Sequence, residues 1–178
     1  MMKQKTLYLM CGCPGSGKTT LVKKMMEQLP NCCHISRDEI RFSLLNDGDD
    51  YFAKEDEVFL TFINTINEKI KSEKIENIFI DATHLNQKSR NLVLNKLDKD
   101  NYEIIPISFE LSLDVHLKRN ANREGRARVP ADVIKSMWNK YQIPTFNEKY
   151  KYNKIIHVNE KGELKYGYLA DQRPSSWS

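Results

Sequence analysis

"GCPGSGKTT", residues 12–20, lies between the apolar run "TLYLMC" at 6–11 and the amphipathic "LVKKMMEQL" at 21–29. Gly12, four further residues, then Gly17, Lys18 and Thr19 satisfy the pattern G-x-x-x-x-G-K-[ST]. Glycines remove the Cβ atoms that would block a tightly wrapped backbone. Successive N–H groups, and the N-terminus of the next helix, can then face an anion. Lys18 has the reach for β- and γ-phosphate oxygens, and the Thr19 hydroxyl can ligate Mg2+. Cys13, Pro14, Gly15, Ser16 and Thr20 complete the loop. The stretch implies a site for ATP with Mg2+ and a strand–loop–helix opening to an α/β fold. It leaves open what becomes of the terminal phosphate.

Outward from this loop, short apolar runs alternate with longer amphipathic ones. Strands are expected at 6–11, 32–35, 77–80, 104–109 and 155–158. Helices are expected at 18–29, 53–74, 86–97, 113–122 and 130–141. Phe59, Phe62, Ile63, Ile66 and Ile70 fall at helical spacing within the long one. Asn86 suits an N-cap, and Pro130 suits a first helical position. Such alternation predicts a largely parallel sheet covered on both faces. Residues 1–178 read as a single domain, with a polar end over 163–178 expected to be loosely held.

Three further clusters carry chemistry. "NIFID" ends in Asp81, the place from which a carboxylate can hold the metal or its water, although many strand-end acids are only turn or cap residues. In "SRDEIR", Ser36 and Glu39 form an S-x-x-E capping box that starts a helix at Arg37. Asp38 and Arg41 are then three apart, on one side of that helix, at the strand end that opens onto the ligand crevice of α/β sheets. There a carboxylate could take a proton from an attacking hydroxyl, and a guanidinium could clamp an anion. Equally, an acid in a first helical turn and an Asp–Arg pair are common surface features. In "LKRNANREGRARVP", Arg119, Arg123, Arg126 and Arg128 fall within ten residues, with Gly125 expected to end the helix before Arg126. That composition suits either a lid that neutralises charge on a transferring phosphoryl group or a solvated basic face.

Composition narrows the class. The chain has 178 residues, 40% hydrophobic and 29% charged, with a formal net charge of +4. That permits a polyanionic partner without requiring one. Cys11, Cys13, Cys32 and Cys33 lack metal-knuckle spacing and are expected to be reduced, which suits a cytoplasmic protein. No run approaches the ~20 apolar residues of a membrane span. "FNEKYKYNK", 146–154, mixes aromatics with lysines. It could grip a strand, or place its tyrosines on the core.

Together, "GCPGSGKTT", "SRDEIR", "DATHLN", "KRNANR" and "VPADVIKSMW" resemble, in order over residues 6–141, the 5′-kinase domain of bacteriophage polynucleotide kinase, within the P-loop kinases. The resemblance implies an adenylate-kinase-like, three-layer α/β/α fold with a helical lid over about residues 112–141. It implies transfer of the ATP γ-phosphate to a 5′-hydroxyl end of DNA or RNA. It gives Asp38 as general base, Arg41 as holder of the neighbouring phosphate, and Arg119 and Arg123 as contacts to the donor. Two departures stand out. The segment between Arg123 and Val129 is about one residue longer than in the family, so no role passes to Arg126 or Arg128. The D-x-D-x-T motif of the phage enzyme's phosphatase half is absent, so a separate phosphatase or ligase is the expected partner. Two rivals remain at this stage: a P-loop kinase of a small molecule such as a nucleoside, sugar nucleotide or antibiotic, and a nucleotide-dependent switch. Oligomeric state is open.

Overall fold

In a computed structural model that describes residues 4–169, the six strands form one sheet. They are β1 (Lys5–Cys11), β2 (Cys32–Ser36), β3 (Asn77–Asp81), β4 (Tyr102–Phe109), β5 (Lys154–Val158) and β6 (Leu164–Tyr168). Their order is β2-β3-β1-β4-β5-β6, with every pair parallel except β5–β6. The helices are α1 (Lys18–Gln28), α2 (Arg37–Leu44), α3 (Glu55–Lys71), α4 (Gln87–Leu94), α5 (Leu113–Ala121) and α6 (Ala131–Lys140). This is the largely parallel α/β sheet that the sequence predicts.

Parallel strands covered on both faces must be apolar on both, so they read as continuous runs. All five residues of β3 are buried. Alternation along β1 divides the core. Leu7, Leu9 and Cys11 face Phe62, Ile63, Ile66 and Ile70 of α3 and Val93 and Leu94 of α4. Tyr8 and Met10 face Val22 of α1, with Leu21 and Met25 beside it. Tyr8 and Phe79 are register partners whose rings stack with centroids 4.7 Å apart. β1 is thus fixed on both faces and both edges, which anchors the start of the loop after it.

Element ends differ from the sequence reading for local reasons. α3 runs from Glu55 rather than 53, because residues 51–54 form turns that close the α2–α3 connection. α5 stops at Ala121, so Arg123 lies beyond it and does not share a helical face with Arg119. Gly125 does not end α5; at φ 59° it opens a separate 3-10 turn, Gly125–Ala127. Pro130 is the N-cap of α6 rather than its first residue. Asn86 caps α4 as expected, accepting from the Ser89 N–H. Within the expected loose end, Leu164–Tyr168 instead forms β6, paired antiparallel to β5. Residues 170–178 lie outside those described. In "FNEKYKYNK", Tyr152 is buried and Phe146 and Tyr150 pack against the core, so the packing reading holds there. All four cysteines are free thiols, and burial pushes Cys11 up to about 12 and Cys13 up to about 11. Among the described residues no helix is long and apolar enough to cross a membrane.

Candidate active site

The ends of β1, β2 and β3 converge. Met10 and Ser36 are both register partners of Asp81, so the phosphate loop, the start of α2 and the β3 carboxylate meet at one edge. They line a cleft of about 1000 Å³. That is the top of the ~300–1,000 Å³ range for one drug-sized ligand, room enough for a nucleotide and part of an acceptor.

Backbone contacts shape the side of the cleft formed by residues 12–20. The Gly12 N–H donates to Thr83 O at 2.9 Å, tying the loop to the segment after β3. A Cβ at Gly12 would lie 2.9 Å from Phe109 Cβ, so only glycine fits there. Gly17 caps α1 at φ 93°, the left-handed region that glycine enters without strain. Lys18 Nζ folds onto the loop, donating to Gly12 O at 2.8 Å and Cys13 O at 3.0 Å. Burial pulls its pKa down, opposed chiefly by the Asp81 charge. His116, a residue the sequence reading missed, hydrogen-bonds Pro14 O at 3.2 Å from α5.

Asp81 accepts from Thr19 Oγ1 at 3.0 Å, and His34 Nε2 lies 2.8 Å from the same carboxylate oxygen. Burial pushes the Asp81 carboxyl up. The His34 hydrogen bond and the Lys18 and His34 charges outweigh that and hold it below its ordinary value. A charged carboxylate beside a hydroxyl provides hard oxygen donors. Mg2+ commonly takes one or two protein oxygens and completes its shell with water and phosphate. Thr19 and Asp81 therefore fit that ion. His34 sits in the middle of a strand, and the only sequence signal for it was a polar residue in an otherwise apolar run.

The side of the cleft beside α2 is built from side chains. Asp38, half exposed, accepts at Oδ1 from Arg41 Nη1 at 2.5 Å and from the Tyr51 hydroxyl at 2.5 Å. Arg41 is buried, and its Nη2 donates to Glu55 Oε2 at 2.7 Å. Arg37 pairs with the other oxygen of Glu55. Burial would lower the Arg41 pKa, but Glu55, Tyr51 and Asp38 raise it overall, so the guanidinium stays charged. Its Nε is buried without a hydrogen-bond partner, as is that of Arg37. A buried unpaired donor is destabilising unless something completes it, and in a cleft a ligand oxygen can do so. Tyr51 and Glu55 lay beyond sequence reasoning, since contacts across 13 and 14 residues leave no periodic trace.

The arginine cluster divides. Arg119 Nη1 donates to Ser16 O at 3.1 Å and its Nη2 to Glu160 O at 2.9 Å, joining the loop to the β5–β6 turn. Arg123 and Arg128 line the cleft. Arg126 reaches across to Asp47 Oδ1 at 3.1 Å and bridges the segment before α6 to the α2–α3 connection. The sequence-named residues therefore converge, with Arg119 partly committed to the loop's backbone. Cys13 is buried, outside the cleft lining that Pro14 to Thr20 form.

The family model AAA_33, described as "AAA domain", matches residues 7–144. The chain is 28% identical over 184 residues to "L-seryl-tRNA(Sec) kinase" of Methanococcus maripaludis, covering 89% of this chain and 68% of that protein. It is 26% identical over 151 residues to "Putative bifunctional polynucleotide kinase/RNA ligase" of Autographa californica nuclear polyhedrosis virus, covering 77% of this chain and 21% of that one. Its fold matches a chain in "Structure of the Pnkp1/Rnl/Hen1 RNA repair complex" with a TM-score of 0.67 at 19% identity, covering all of this chain and 52% of that one.

Proposed function

The chain belongs to the AAA_33 family and is a P-loop kinase, a phosphotransferase, and on that premise we propose that its acceptor is the 5′-hydroxyl end of a polynucleotide, DNA or RNA. The observation that carries the reading is Asp38 and Arg41, joined at 2.5 Å and facing the cleft that also holds Lys18. A switch or binding module needs no carboxylate there, whereas a hydroxyl acceptor does. The viral relative, named for polynucleotide kinase and RNA ligase together, supports the substrate class and a ligase as a functional partner.

The donor is ATP, cradled by the N–H groups of the loop from Gly15 to Thr20, since the Gly12 N–H is committed to Thr83 O and Pro14 has none. Bound Mg2+, held by Thr19 and Asp81, would supply charge neutralisation on the triphosphate. Lys18 leaves the Gly12 and Cys13 carbonyls for the β- and γ-oxygens. Asp38 accepts a hydrogen bond from the acceptor hydroxyl, which aligns its oxygen on the γ-phosphorus. The O5′–P bond forms, the bond to the bridging β,γ-oxygen breaks, and ADP departs. The hydroxyl proton passes late to Asp38, as suits a loose transition state. Arg41 holds the phosphate next to the reacting sugar, while Arg119 and Arg123 neutralise charge on the transferring group. Incubation with γ-labelled ATP and 5′-hydroxyl oligonucleotides tests this, and label must appear at the 5′ end of DNA or RNA. No transfer to either removes the reading.

A second reading has its own support. The seryl-tRNA(Sec) kinase relative matches over more of its length than the viral one, which favours some other hydroxyl as acceptor. Acceptor identity separates the two: label on a 5′-hydroxyl oligonucleotide supports the first reading, and label found only on an aminoacyl group carried by tRNA or on a free small hydroxyl compound supports the second.

A further inference from the structure

Phosphoryl transfer makes no use of three rings around the α2–α3 connection. Tyr51 meets Phe42 edge-on with centroids 6.2 Å apart, and meets Phe52 edge-on at 4.7 Å. Tyr51 is anchored through its hydroxyl to Asp38, and the Arg41 guanidinium lies 4.2 Å over its face. Phe52 has no such anchor. It is 55% exposed and lines the cleft beside Asp38 and Arg41. A phenyl ring left in water at the mouth of a charged cleft forgoes the burial that would stabilise the fold.

We infer that Phe52, backed by Tyr51, is the shelf on which the terminal base of the acceptor stacks. This rests on the polynucleotide reading and names the part of the acceptor that the site recognises. Three observations carry it. First, the shelf adjoins the carboxylate that aligns the hydroxyl, and the base nearest the reacting end is the one within reach. Second, the Arg41 guanidinium is 4.2 Å from one ring and 5.8 Å from the other. An anion holder with an unpaired Nε and an open aromatic face therefore stand side by side, as phosphate and base do within one nucleotide. Third, the edge-on contact with Tyr51 holds Phe52 in place, so little ring freedom is lost on stacking. Stacking accepts any base, because each presents a flat π-face. The shelf thus gives affinity for an end without choosing its sequence.

The test pairs Phe52→Ala with two acceptors: a 5′-hydroxyl oligonucleotide, and the same oligonucleotide lacking its terminal base. The shelf predicts that Phe52→Ala raises KM for the complete acceptor at least about five-fold. The abasic acceptor's KM should be unchanged, as should kcat and the KM for ATP. Phe52→Trp should preserve or tighten binding of the complete acceptor. Equal effects on both acceptors, or none on either, would overturn the shelf while leaving polynucleotide kinase activity standing. Failure of the unaltered protein to phosphorylate either oligonucleotide would overturn both.

Discussion

The two halves of the cleft are made differently. On the donor side, main chain shapes the site: Gly12 bonds to Thr83, Lys18 rests on loop carbonyls, and β1 is buried on both faces. On the acceptor side, side chains shape it: Arg37, Asp38 and Arg41 of α2, Tyr51 of the connection and Glu55 at the start of α3 hold one another. Phosphates present the same shape to every P-loop protein, so a backbone cradle serves all of them. Acceptors differ between kinases, and side chains can be exchanged without disturbing the core. The donor half should therefore resist change in the acceptor half, and the converse should fail.

Asp38 apart, the largest test of that asymmetry is Lys18→Ala. It removes a charge that both ground and transition state use, so transfer should fall roughly 10²–10³-fold with every acceptor. An acceptor that escaped the loss would break the division. Next is Arg90, fully buried and bonded to Glu148, His84 O and Gln142 O behind the phosphate loop. Arg90→Ala strands the Glu148 charge and should lower unfolding stability by about 3–5 kcal/mol in denaturant titrations.

His84 offers a pH test of the same frame. Its Nδ1 lies 2.5 Å from Met10 O, which can only accept, so Nδ1 carries the proton. Its Nε2 is buried without a partner. Burial lowers its pKa to about 4, opposed by the Met10 bond. The unfolded chain, near 6.5, binds the proton more readily. The stability that neutral His84 gives is therefore complete above about pH 6.5 and is lost as pH falls towards 4, on the order of 3 kcal/mol. His84→Asn, which suits the positive φ of 42°, should flatten the melting temperature across that window. The smallest effect is expected from Glu55→Gln. It loosens Arg41 without touching the donor loop, so acceptor KM should rise roughly ten-fold while KM for ATP holds. Equal changes in both would mean that the halves are coupled.

The same contrast explains what the sequence revealed. The loop of residues 12–20, the β3 carboxylate and the Ser36 cap were legible because each is a local pattern whose geometry follows from a few neighbouring residues. Lys18, Thr19 and Asp81 stand where their spacing put them. Asp38 and Arg41 were legible as a pair, but spacing alone could not separate a functional pair from a surface one. Burial of Arg41 and its second partner, Glu55, set the pair apart from a solvated surface pair. His34, Tyr51 and Phe52 were silent, because strand neighbours and loop closures are set by the tertiary fold. β6 was missed because "LKYGY" has a glycine and a lysine where an apolar run was sought, and an edge strand needs no such run.

The central claim is that Asp38 serves the acceptor and not ATP. Asp38→Asn, assayed with γ-labelled ATP and a 5′-hydroxyl oligonucleotide alongside ATP binding by calorimetry, tests it most directly. The account predicts a fall in transfer of roughly 10²–10⁴-fold with ATP affinity unchanged. Transfer at the rate of the unaltered protein, or a loss explained by weaker ATP binding, would contradict it.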